Sequence, residues 1–156
     1  MHLLLGFDVR ESCMSDYLSP IHCVSNNLHQ TARAITKIYS EEMRPSGILR
    51  SQYSILGYLN RLGIIQLTEL ADSLYMDRTT LSRNLKPLEK RGLVSINKSP
   101  TDARAKEVRL TAGGKAQFRE ATKYWRRAQK RIVTAFGEKN WADLESTLLS
   151  LRKQVS

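Results

Sequence analysis

The chain has 156 residues and a mass of 17.8 kDa, enough for one compact domain that buries roughly 70% of its unfolded surface without disulfide or metal staples. Hydrophobic residues at 41% and charged residues at 26% exclude wholesale disorder and a collagen-like repeat, and no apolar run approaches the roughly 20 residues of a membrane span. The net charge of +10 points to an acidic polymer as partner.

Met1 to Phe7 is apolar but short, has no basic residue before it and leads into Asp8, Arg10 and Glu11. That is a poor secretory signal, so a cytoplasmic location and reduced thiols are expected. Residues 1–18 read as a loose arm. Ser19 before Pro20 is a helix start, and a helix is predicted from there to about Met43, ended by Pro45 and Gly47. Its apolar positions Ile21, Val24, Leu28, Ala32, Ile35 and Tyr39 form one buried stripe.

A second helix, from about Ser51 to Gly63, carries Ile55, Leu56, Leu59 and Leu62 on one face; a third, shorter one carries Leu67, Leu70, Ala71 and Leu74. Asp77 can cap a fourth helix through the free N–H of Thr79 or Thr80, and that helix continues to Gly92 with Leu81, Leu85 and Leu88 facing inward. Pro87 within it removes the bond to the Arg83 carbonyl, and so either bends the helix or shortens it.

After Gly92 the period changes from 3.6 to 2. Val94 and Ile96, then Val108 and Leu110, alternate with polar residues and predict a two-stranded hairpin whose basic tip, Ser99 to Ala105, projects. A long helix from Thr111 shows Phe118, Ala121, Trp125, Ala128, Ile132 and Phe136 in a stripe, and a last one from about Lys139 carries Trp141, Leu144, Leu148 and Leu151. The predicted fold class is mainly α with a minor β part (α+β minor). A helix-turn-helix core with a wing spans about 51–111, and helices over about 19–44 and 112–154 are assigned partly to self-association.

The positive charge is localised. Residues 75–110 hold nine basic and four acidic side chains and residues 111–131 hold seven and one, so about a third of the chain supplies the whole excess. On the fourth helix, Arg78, Thr79, Ser82, Arg83, Lys86 and Lys90 stand opposite the leucines. Short hydroxyls and bidentate guanidinium groups are what base edges and phosphates of a major groove accept. A solvated charged face is the competing account of such a helix, but a basic-tipped hairpin directly after it makes a winged helix. Arg104 at the tip suits a narrow minor groove, and Asp102 suits holding a neighbouring arginine in place. The stripe Lys115, Arg119, Lys123, Arg126, Arg127, Lys130 and Arg131 reads as solvated helix.

The stretch "LTELADSLYMDRTTLSRNLKPLEKRGLVSINKSPTDARAKEVRLTAGGKAQF" resembles the core of the MarR family of bacterial transcription regulators, with looser similarity from about Pro20 to the C-terminus. Its marks are "LADSL", "DRTTLSRNLKPLEKRGLV", the wing signature Asp102, Ala103 and Arg104, and the pair Leu110 and Thr111. The resemblance implies a homodimeric repressor on a palindromic DNA operator, relieved by a small molecule, a phenolic or other aromatic ligand among them, or by an oxidant. It places Thr79, Thr80, Ser82, Arg83 and Lys86 in the groove and Asp102 and Arg104 on the wing; outward Arg78 and the hairpin lysines Lys98 and Lys106 are further DNA-binding candidates. Gly113 and Gly114 stand where one glycine is usual, which leaves the start of the long helix open.

Arg33, Tyr39, Tyr53 and Trp125 are candidates for an effector pocket. Cys23, in the first turn of the first helix, is a candidate redox sensor with Cys13 as resolving partner. His22, Cys23 and His29 lack paired ligand spacing, so neither a metal nor a cofactor is expected. Two other classes compete: a basic nuclease, which would need an acid and a base beside the positive surface, and a winged module that binds protein.

Overall fold

The computed structural model describes residues 19–100, 102 and 104–155, so the arm at 1–18, with Cys13, and the wing residue Ala103 lie outside the described residues. The chain divides into two compact units, Met1–Thr36 and Lys37–Ser156. In the first, the predicted single helix is two pieces: a 3-10 turn at Pro20–His22, then α1 (Val24–Met43), which runs on into the second unit. The Ser19 side chain makes no capping bond; Pro20 alone starts the turn. The expected stripe is not buried there, since Ile21 and Val24 are 62% and 63% exposed and Leu28 is exposed as well. Periodicity marks an apolar face without supplying what covers it.

In the second unit α2 (Arg50–Leu62) buries Ile55, Leu56 and Leu59 and ends at Gly63, whose φ of 79 few side chains tolerate. Leu62, predicted inward, is exposed, because it closes the last turn as the chain leaves. A strand β1 (Ile65–Gln66) then precedes α3 (Leu67–Ser73), and α4 (Arg78–Lys90) follows. Asp77 caps α4 through the Thr80 N–H at 2.8 Å. The helix runs through exposed Pro87 to Lys90, so the proline does not shorten it.

β2 (Val94–Lys98) and β3 (Lys106–Leu110) pair antiparallel with Val94 opposite Leu110 and Ile96 opposite Val108, which puts the alternating apolar residues on one face. The predicted two-stranded hairpin is corrected to a three-stranded sheet ordered β1-β3-β2, with Ile65 opposite Val108. Two residues are too short a run to show alternation, so β1 exists through its partner.

Thr111 caps α5 (Ala112–Phe136) by accepting from the Gly114 N–H at 3.0 Å, which settles where the long helix begins, and α6 (Glu138–Val155) ends the described chain. α5 approaches the core through Ala121, and the Phe118 ring lies 3.6 Å from where a Gly57 side chain would start. Phe136, at the end of the predicted stripe, is exposed. One core joins Leu70 and Ala71 of α3, the α4 leucines, Ile55, Leu56 and Leu59 of α2 and Val94, Val108 and Leu110 of the sheet. This core fixes which side of α4 remains outside. Among the described residues no helix is long and apolar enough to cross a membrane.

Candidate nucleic-acid interface

The second face of α4 follows from the first. With Leu81, Leu85 and Leu88 all at most 2% exposed, the 3.6-residue period leaves Arg78, Thr79, Ser82, Arg83, Lys86 and Lys90 in solvent. Thr80 is half-buried, and its hydroxyl donates to Asp77 Oδ2 at 2.6 Å while its N–H donates to Oδ1. The Thr80 hydroxyl is thereby committed to the cap and keeps only acceptor capacity for anything outside. These bonds, the hydroxyl first, hold the Asp77 carboxyl below the usual carboxylate range.

The wing brings a second set of cations to the same side. Lys98 and Lys106 are the last ladder pair, and both are exposed. Like charges directly opposite each other destabilise a strand pair, a cost that a polyanion would remove. Beyond them the tip is closed by Ser99 N–H to the Ala105 carbonyl at 2.9 Å and Ala105 N–H to the Asp102 carbonyl at 3.0 Å. Asp102 Oδ1 accepts from the Arg104 backbone N–H at 2.8 Å. Asp102 therefore holds the Arg104 peptide through a turn-type bond, leaving the exposed guanidinium outside that bond.

α4 and the wing face each other across a concavity. Arg78 and Ser82 of α4, Asp102, Arg104 and Lys106 of the wing and Thr68 at the start of α3 line it. On the far side of Ser82 a second concavity is lined by Lys86, Glu89, Lys98 and Lys106. Seven of the ten predicted residues line these two concavities, which share Ser82 and Lys106, and Thr80 belongs to the cap, whereas Thr79 and Arg83 line neither and are exposed on the same helix.

Other predicted residues are placed differently. The Tyr53 ring stacks on Phe118, with centroids 5.1 Å apart, and on Trp125, 5.7 Å apart, while its hydroxyl meets Thr122 Oγ1 at 3.2 Å. Tyr39 donates to Gln129 Oε1, and burial pushes its phenol pKa up. Arg33 is exposed in the N-terminal unit. Cys23 is exposed and immediately precedes α1, a correction to the expected first-turn position, and its carbonyl accepts from both Asn27 nitrogens at 3.0 Å. On the basic stripe of α5, Lys123 pairs with Glu120 at 2.6 Å, Arg131 with Glu42 at 3.3 Å, and the Arg127 guanidinium lies over the Tyr124 ring.

Sequence reasoning missed two groups on α4 and at its end. Asn84 donates to the Thr80 carbonyl at 2.9 Å and accepts from the Ser51 hydroxyl at 2.6 Å. Arg91 donates to the Gly47 carbonyl at 2.8 Å. The only hint for Asn84 is a polar residue between two inward leucines.

A model of the MarR family matches residues 46–105. The HTH-type transcriptional regulator YwoH of Bacillus subtilis is 27% identical over 115 residues, 74% of this chain and 83% of its own length. Among solved structures, the Mycobacterium tuberculosis transcriptional regulator MosR in complex with DNA is 30% identical with a TM-score of 0.76, matching 85% of this chain and 96% of that one. The repressor CouR bound to a 23-mer DNA duplex is 25% identical with a TM-score of 0.78, matching 91% and 99%.

Proposed function

The chain belongs to the MarR family of winged helix-turn-helix transcription regulators, and from that premise we propose that it binds double-stranded DNA sequence-specifically as a homodimer on a palindromic operator and represses transcription. The observation that carries this reading is the pairing of the exposed α4 face with Arg104 across one basic concavity. A helix with outward Arg, Thr and Ser fits a major groove, and a guanidinium carried beside it on a wing fits the adjacent, narrower one. The DNA complexes of MosR and CouR support the same partner.

Two half-sites about 34 Å apart require two such faces related by a two-fold axis. Ile21 and Val24 ahead of and in α1, and Phe136, Leu149 and Val155 in α5 and α6, leave apolar surface for self-association. Relief by a small aromatic ligand is part of the reading, with Tyr39, Tyr53 and Trp125 as its candidate contacts. A second reading, oxidant relief through Cys23, is favoured by the exposure of that thiol. Its test is operator affinity before and after peroxide: unchanged affinity in wild type removes it, and a loss abolished in Cys23→Ser supports it.

Retardation and footprinting on genomic duplex fragments test the main reading. A protected two-fold symmetric sequence is expected. Cleavage of the duplex would instead indicate a nuclease, and no retardation would indicate a protein-binding module. A cytoplasmic site of action is part of the same reading.

A further inference from the structure

The connector between α1 and α2 is held by more polar contacts than its length requires. Ser46, only 7% exposed, donates its hydroxyl to the Met43 carbonyl at 2.6 Å and accepts from the Ile48 N–H at 3.2 Å. Leu49 N–H donates to buried Gln52 Oε1 at 3.1 Å, and the side chains of Met43 and Ile48 are buried on either side. The turn is therefore stiff in itself. Two other elements then bond its consecutive carbonyls: the Gln117 amide of α5 donates to Ser46 at 2.8 Å, and the Arg91 guanidinium, one residue past α4, donates to Gly47 at 2.8 Å. The Ser51–Asn84 bond adds a third link, from the first turn of α2 to the middle of α4.

Apolar packing holds α4 down but is non-directional, so it defines the position of the helix less sharply than polar bonds can. Hydrogen bonds restrict both distance and angle. We propose that Gln117 and Arg91 are positioning residues that clamp the Ser46–Gly47 turn between α5 and α4, and thereby set the separation of the two recognition helices in the dimer. The proposal rests on the dimeric DNA-binding reading above. Neither residue needs to touch DNA. Operator geometry is sensitive to this clamp because one added base pair shifts a half-site by about 3.4 Å along the axis and by about a tenth of a turn around it.

The test starts from an operator selected by the wild-type protein from random duplexes. Affinities are then measured for that operator, for versions with the centre lengthened or shortened by one base pair, and for a single half-site. Gln117→Met removes the donor without removing charge. It should keep half-site affinity within about twofold while discrimination between spacings falls by about threefold to tenfold, the worth of one hydrogen bond. Arg91→Met, at an exposed position, should do the same independently of packing around Gln117, with Arg91→Lys separating charge from geometry. The double variant should lose no more than the larger single loss, because both act through one turn. Unchanged spacing discrimination in both variants, or equal losses on every duplex including the half-site, overturns the proposal. A wild-type protein that selects no sequence, or binds half-site and operator equally, overturns the DNA-binding dimer itself and is recognised as such before any variant is made.

Discussion

A Cβ on Gly114 would overlap the carbonyl oxygen of Leu93 and stand 2.9 Å from Leu110 Cδ2. The same carbonyl accepts from the Thr111 N–H at 3.1 Å, so the head of α5 is bonded to the chain just before β2 with no room for a methyl group. Gly114→Ala must push α5 off the sheet, at an expected cost of about 1–3 kcal/mol. Gly113→Ala meets nothing closer than Thr111 Oγ1 at 3.7 Å and should be neutral or stabilise by up to about 1 kcal/mol through helix propensity. Denaturant unfolding of the two variants measures the difference; equal stability would contradict the overlap.

The cap of α4 should show itself in acid. Bonds from Thr80 hold the folded Asp77 carboxyl below its ordinary value, whereas in the unfolded chain it titrates near about 3.9. The group therefore contributes stability that is fully present above the unfolded value and is lost as pH falls through the folded one, with no change expected between about pH 5 and pH 7. A carbon-detected NMR titration of the Asp77 carboxyl should give a midpoint below that of a free aspartate; a midpoint at or above it would remove the cap from the acid limb.

Two exposed cations on α4 should behave differently. Lys86 stands at the concavity shared with Lys98 and Lys106, a backbone-type position. Lys86→Ala should weaken binding to all duplexes alike and flatten the logarithmic salt dependence by about 0.9 per lost phosphate contact. Arg83→Ala should cost about 1–3 kcal/mol on the operator and relax preference at one base pair. Titrations on operator and random duplex separate the two, and equal losses for Arg83→Ala would assign it to phosphate instead.

The tip of the wing predicts a pair of linked effects. Arg104→Ala should cost most on operators with A·T-rich flanks, where the minor groove is narrow and its potential most negative. Asp102→Ala leaves the guanidinium but releases the Arg104 backbone N–H from its 2.8 Å bond, so it should reproduce part of that flank-dependent loss. Binding isotherms on A·T-rich and G·C-rich flanks test both. Losses that ignore the flank would take the wing out of the minor groove.

Much of the candidate interface was readable because it is written in local spacing. The leucines at 81, 85 and 88 put the cations of α4 on the opposite face, Asp77 announces the helix start it caps, and alternation at Val94, Ile96, Val108 and Leu110 sets the hairpin register. Chain order alone then places Arg104 beside the helix. Each of these depends on residues within a turn or a strand of one another.

What the tertiary structure decided depends on residues distant in sequence. Ile65 is a strand residue only because Val108 lies opposite it, and Gly114 is obligatory only because the Leu93 carbonyl approaches there. Tyr53 stacks on Trp125, and the carbonyls of Ser46 and Gly47 receive Gln117 and Arg91. Spacing along the chain determines which side of an element is apolar or charged, since that follows from backbone periodicity alone. Which surface meets that side, and how closely, is settled only when the whole chain has packed, because hydrophobic burial is indifferent to direction and the polar bonds that supply direction form between elements brought together by it.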